Sequence, residues 1–161
     1  MPAVLFICTA NRFRSPIAAA AFRKKLGDEG MASEWRVDSA GTWTTPGLPA
    51  VPEAVLTAHE LGLNIEEHVT KLVNGLDLQQ FNLILAMEAG HKEAIVSEFP
   101  QVHERVFMLS YVVGGISYDI PDPMAAEEDM TREITTEVCD LVWKGFSEIC
   151  QLARRLSLSR I

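Results

Sequence analysis

Residues 3–7 are a continuous apolar run, residues 8–15 follow it directly, and Pro16 comes next. No other stretch limits the fold so strongly. A partly β-branched run without polar alternation is the pattern of a strand buried on both faces, which belongs to parallel sheets covered by helices. Pro16 suits the first turn of a helix, where its missing N–H is not needed, and Ser15 is the expected N-cap. Ala18, Phe22 and Leu26 recur at four-residue spacing, and Gly27 supplies a stop. Residues 8–15 are therefore a strand-to-helix turn, a position where α/β proteins bind ligands.

The alternation continues along the chain. Residues 35–40 read as a second strand, and 43–52 as a loop holding Pro46, Gly47, Pro49 and Pro52. Residues 53–61 read as a helix closed by Gly62, with Ala54, Val55, Ala58 and Leu61 facing inward. Residues 81–87 are a third buried strand, 90–99 a helix halted by Pro100, and 105–109 a fourth strand. Residues 111–123 are irregular. A last helix is expected from Asp129 to Leu156, with Ile134, Val138, Leu141, Val142, Ile149 and Leu152 on its stripe. Alternating strands and helices imply βαβ units and a parallel sheet. The expectation is one α/β domain over residues 1–161, with four parallel strands and helices on both faces, a flavodoxin-like three-layer sandwich. A length of 161 residues suits a single core.

Charge narrows the partners. The net charge is −8 and the pI about 5.0, which argues against a general nucleic-acid or anionic-membrane binder. No apolar run approaches the roughly 20 residues of a membrane span. The start reaches Asn11 and Arg12 too soon for a signal peptide. Three cysteines suit a reducing compartment, so a cytoplasmic protein is expected. Yet residues 1–27 hold Arg12, Arg14, Arg23, Lys24 and Lys25 and no acid. Residues 119–140 hold Asp119, Asp122, Glu127, Glu128, Asp129, Glu133, Glu137 and Asp140 against Arg132 alone. An acidic protein can bind an anion at such a basic segment, because local donors outweigh net charge at close range.

The first turn reads Cys8-Thr9-Ala10-Asn11-Arg12-Phe13-Arg14-Ser15. A short loop ending at a helix N-terminus turns its backbone N–H groups toward one point, and the helix dipole adds about half a positive charge. The loop from Thr9 to Ser15 is thus a cradle for a phosphoryl group, and Arg14 adds a planar fork for two of its oxygens. The same field favours thiolate at Cys8. Ser15 can donate a hydrogen bond to that sulfur. Far along the chain, Asp122-Pro123 lies on the irregular segment after the fourth strand. Splitting a phosphate ester requires protonating the departing oxygen, and a carboxyl group facing bound phosphate is pressed by like charge to hold a proton.

On these features the chain resembles the low-molecular-weight protein tyrosine phosphatase family. The resembling segments are residues 8–16, 38–42, 62–68, 83–88 and 120–123, in the family's order and across almost the whole chain. The resemblance implies a phosphocysteine on Cys8, Asp122 as general acid, and no metal or cofactor. It also implies that Asn11 takes an unusual backbone conformation supported by Ser39 and His68. Asn tolerates left-handed geometry better than other non-glycine residues. The expected substrates are phosphorylated proteins or small phosphomonoesters; the oligomeric state is left open.

The pattern departs in places. Phe13 stands where many members have a second cysteine, so Cys8 lacks that redox partner. Ala10 replaces a common glycine. Arg12 adds a second cation at the rim that can meet substrate or its flanking acids. Met124 and Ala125 follow Asp122-Pro123 where tyrosine-preferring members often carry aromatics, and Trp43 can supply a different wall for the slot. Phosphoarginine on proteins, hydrolysed by one branch of the family, is the alternative substrate. Thiol-coupled arsenate reduction is a further alternative. It needs relay cysteines, and Cys139 and Cys150, placed about 16 Å apart on one helix, read as core. His59, His68, His91 and His103 show no metal-ligand spacing with the cysteines.

Overall fold

Strand β1 (Ala3–Cys8) is buried at all six positions, so it has no face for water and pairs along both edges. In this computed structural model, which describes residues 1–125 and 130–160, its partners are β2 (Arg36–Gly41) and β3 (Leu83–Ala86); β4 (Val106–Met108) completes the sheet beyond β3. All pairings are parallel, in the order β2-β1-β3-β4. Strand pleating splits the side chains between two cores. Val4, Phe6, Leu83 and Leu85 face a layer built from helices α1 (Arg14–Asp28), α2 (Pro52–Glu60), α4 (Leu109–Gly114), α5 (Met130–Lys144) and α6 (Phe146–Leu158). Ala3, Leu5, Ile7 and Ile84 face a smaller core with Phe81, Val102 and Ile95 of α3 (Ala89–Glu98). The expected four-stranded three-layer sandwich is the one observed. Among the described residues no helix is long and apolar enough to cross a membrane.

Three local expectations are corrected. The first helix begins at Arg14, so Ser15 lies in its first turn and Phe13 holds the cap position without a side-chain cap. Residues 109–114 form a helical turn where the end of the fourth strand and irregular chain from 111 were expected; Leu109 and Ser110 are buried in it, and Gly115 ends it with φ 74°. The long terminal helix is two helices separated at Gly145. A Cβ there would run into the Val113 side chain and the Leu141 carbonyl, so close packing of α4 requires glycine, a poor helix former. The expected helix start at Asp129, and the acids Glu127 and Glu128, lie outside the described residues.

Gly41 is set by a second close approach. It pairs with Cys8 across β1 and β2, and a Cβ on it would strike the Thr9 carbonyl oxygen. Thr42 and Trp43 donate their N–H groups to Cys8 and Thr9 carbonyls at 3.0 Å each. The end of β2 thereby holds the beginning of the turn. Gly41→Ala is expected to cost roughly 1–3 kcal/mol by overpacking, read in urea unfolding, and to slow turnover by moving Thr9.

Candidate active site

Parallel sheets place ligand sites beyond the carboxyl ends of their strands, where successive crossovers run to opposite sides. Here that point lies between β1 and β3, since β2 flanks β1 on one side and β3 on the other. The turn after β1 carries Cys8 to Arg14, and the chain after β3 carries Glu88.

Cys8 is only 2% exposed, yet its sulfur lies in a polar cup. The Asn11 N–H points at it from 3.3 Å and Ser15 Oγ is 2.9 Å away. Ser15 Oγ also accepts from Asn11 Nδ2 at 2.8 Å, which leaves its own proton for the sulfur. Asn11 is the one non-glycine residue among those described with positive φ, at 57°. Its Nδ2 also donates to Ser39 Oγ (3.0 Å), its Oδ1 accepts from the Lys71 N–H (2.9 Å), and its carbonyl accepts from His68 Nε2 (2.6 Å). Ser39 and His68, the residues the resemblance names, thus both contact Asn11, and Lys71 adds a third contact. Burial lowers the His68 pKa, against the raising effect of the Asn11 carbonyl. Ala10 keeps negative φ, so its Cβ brings no strain. The N–H groups of Ala10, Arg12, Phe13, Arg14 and Ser15 donate to no other protein group among the described residues, as an anion cradle requires.

Arg14 is 2% exposed. A buried guanidinium needs a partner, and its Nη1 donates to Glu88 Oε2 and to the Ile120 carbonyl, both at 2.7 Å. Nε and Nη2, the side-on edge of the fork, keep no hydrogen-bond partner among the described residues. Asp122 Oδ2 lies 3.8 Å from Nη2, and Asp122 Oδ1 accepts from the Met124 N–H at 2.9 Å. The acid from far along the chain thus stands at the same mouth as the arginine.

Sequence reasoning missed Glu88 and His91. Glu88 caps α3 and shares a capping box with His91. Its N–H donates to His91 Nδ1 at 3.1 Å, so the ring proton sits on Nε2, which lies 2.8 Å from Thr9 Oγ1 and 3.2 Å from Glu88 Oε2. Burial, reinforced by the Arg14 charge, pushes the His91 pKa down to about 4. The available signal was an acid directly behind the third buried strand, where the sheet opens toward ligand.

The remaining expected residues divide. Trp43 is 82% exposed and Met124 54%, both on segments bordering the turn. The Phe13 side chain, expected among substrate contacts, is instead 4% exposed within the core, leaving only its main chain to the loop. Cys139 and Cys150 lie on separate helices, α5 and α6, and not on one. Both are buried, and burial pushes their thiols up to about 12 and about 11. Among the described residues no cluster of His, Cys, Asp and Glu could hold a metal ion.

A buried thiol under a ring of free amides, a side-on guanidinium and a nearby carboxylate, all at the switch point of a parallel sheet, form a cysteine site with the geometry to hold an oxyanion in an α/β protein. The sequence places it further: residues 3–155 match the family described as low molecular weight phosphotyrosine protein phosphatase, and the chain belongs to that family. It is 31% identical to a protein-arginine-phosphatase of Bacillus subtilis over 98% of both chains. It is 37% identical to the low molecular weight phosphotyrosine protein phosphatase of Rattus norvegicus, covering 90% of this chain and 93% of that one. A solved cysteine-to-serine mutant of the YwlE arginine phosphatase, with a phosphorylated active site serine, superposes with a TM-score of 0.84 at 30% identity. It covers 96% of this chain and 99% of that one.

His91 makes stability depend on pH. Its folded pKa of about 4 lies below the ordinary 6.5, so between those values the unfolded chain takes up a proton that the folded chain refuses. The contribution is fully present above pH 6.5 and is lost as pH falls toward 4, at up to about 1.4 kcal/mol per pH unit. His68 acts in the same direction. Thermal unfolding between pH 7 and pH 5 is expected to show a shallower decline in His91→Gln than in the wild type; equal slopes would refute this.

Proposed function

We propose that this chain is a protein phosphatase that hydrolyses phosphomonoesters, phosphotyrosine on proteins foremost, through a phosphocysteine on Cys8. The observation that carries the reading is the Cys8 sulfur at the floor of the free amides of residues 10 and 12–15, with the Arg14 fork and Asp122 at the mouth. In the first step the sulfur attacks phosphorus in line, and an S–P bond forms as the P–O ester bond breaks. The amides of the turn and the side-on edge of Arg14 hold the three non-bridging oxygens, and Asp122 gives its proton to the departing oxygen. In the second step the Asp122 carboxylate takes a proton from water, which attacks phosphorus. The S–P bond breaks, and the sulfur leaves as thiolate under the hydrogen bond of Ser15. These steps call for no metal or cofactor.

The YwlE mutant with a phosphorylated serine in place of its cysteine supports the assignment of the phosphoryl acceptor. Residues 9–13, with Trp43 and Met124 at the border, form the substrate side of this reading, and Ser39 and His68 hold the loop's shape. Relatedness to an arginine phosphatase along 98% of both chains favours phosphoarginine as the second substrate reading. Rates on phosphotyrosine and phosphoarginine versions of one peptide decide between the two. The burial of Cys139 and Cys150 lends no support to arsenate reduction, which would need them as a relay. A thiol nucleophile and free cysteines suit the reducing cytoplasm.

Cys8→Ser is expected to abolish hydrolysis of para-nitrophenyl phosphate, and Asp122→Asn to slow it by roughly 10²–10⁴. Retained turnover in purified Cys8→Ser would refute the mechanism.

A further inference from the structure

The mouth of the turn carries its charges on opposite sides. Glu88 and Asp122 flank Arg14, and the Asp119 carboxylate accepts from the Ala89 N–H at 2.8 Å, so the acids gather where β3 and the 119–122 segment end. Across the turn stands Arg12. Its carbonyl accepts from the Val51 N–H at 3.1 Å and its Nε donates to the Pro49 carbonyl at 2.9 Å. The side chain is thus tied at both ends of its aliphatic stem to the 49–51 segment and only half-buried. Its Nη1 and Nη2 meet no carboxylate and no carbonyl among the described residues. Arg14, two residues on, is satisfied by Glu88 and Ile120. A guanidinium held by Nε, beside a phosphate cradle, with both terminal nitrogens open, is pre-oriented for a second planar anion.

We propose that Arg12 is a specificity-determining residue that selects phosphorylated peptides carrying a carboxylate next to the phosphorylated residue. The proposal rests on the phosphatase reading above and narrows its substrate class. The carboxylate of a flanking Glu or Asp pairs with the terminal nitrogens of Arg12 while the phosphoryl group occupies the amides of the turn. The overall charge of −8 and the acids across the mouth would favour a basic flank instead, so the two sources of preference have opposite sign.

The test is kcat/KM on three phosphotyrosine peptides that differ only in Glu, Gln or Lys on both sides of the phosphorylated residue, with wild type, Arg12→Gln and Arg12→Lys. The wild type is expected to follow the order Glu, Gln, Lys, with about 5- to 20-fold between the first two. Arg12→Gln is expected to flatten that ratio to about 1, and Arg12→Lys, which keeps charge without the fork, to retain part of it. A flat or reversed order in the wild type overturns the proposal even if no variant folds, as does an unchanged ratio in folded Arg12→Gln. If folded wild type cleaves none of the peptides, the phosphotyrosine reading on which the proposal rests fails and the proposal with it; equal cleavage of all three removes only the role of Arg12.

Discussion

Everything at the mouth depends on one backbone conformation, that of Asn11. Left-handed geometry costs a non-glycine residue of the order of 1–2 kcal/mol, and the surrounding bonds hold it there. The main-chain N–H is given to Cys8, the carbonyl to His68, one side-chain nitrogen to both Ser15 and Ser39, and the side-chain oxygen to the Lys71 N–H. Glycine would take the same φ without strain but could make none of the side-chain bonds. Aspartate would replace the donor to Ser15 with a second anion near the sulfur. The amide side chain meets both needs. It also orders the proton on Ser15, whose hydroxyl accepts from Asn11 and so faces the sulfur as a donor.

The charges follow a similar logic of mutual dependence. A guanidinium as deeply buried as that of Arg14 must be neutralised, and Glu88 does so from the end of the neighbouring strand. Glu88 in turn is held by its place at the start of α3, where its N–H fixes the His91 tautomer, and His91 reaches back to Thr9 in the turn. The loop, the arginine and the third helix are therefore one polar unit. Because Glu88 and Ile120 take only Nη1, the side-on edge of the arginine stays open toward the position that a phosphoryl group would occupy.

Much of this was legible in the chain. The buried run at 3–7, the proline at 16 and the late Asp122-Pro123 place the sheet, the turn and the candidate acid without any coordinates. What was not legible depends on contacts between distant residues. Arg14 and Glu88 are separated by 74 positions and Thr9 and His91 by 82, so no periodicity links them. The break at Gly145 is set by Val113, on another helix, while the apolar stripe runs through it undisturbed. Ser15 reads as a helix cap because serine is favoured there, but the helix already begins at Arg14, and the Ser15 oxygen accepts from the Asn11 side chain while its proton faces the sulfur. Phe13 sits in a turn whose buried polar residues gather around the Cys8 sulfur, and only packing could show that its ring turns into the apolar core instead.

One peptide unit explains how an acid from residue 122 comes to serve a turn that ends at residue 15. Ile120 is 1% exposed; its N–H donates to the Met87 carbonyl at 3.0 Å and its carbonyl accepts from Arg14 at 2.7 Å. The segment bearing Asp122 is thus sewn to the end of β3 on one side and to Arg14 on the other. Met87 itself donates to the Ile7 carbonyl, the last residue before Cys8. From the turn to the segment of Asp122 the path runs through three hydrogen bonds, two between main-chain groups and one from the Arg14 guanidinium. The separation of these residues in sequence is bridged by the sheet, whose neighbouring strands β1 and β3 bring the turn and the 120–122 segment together.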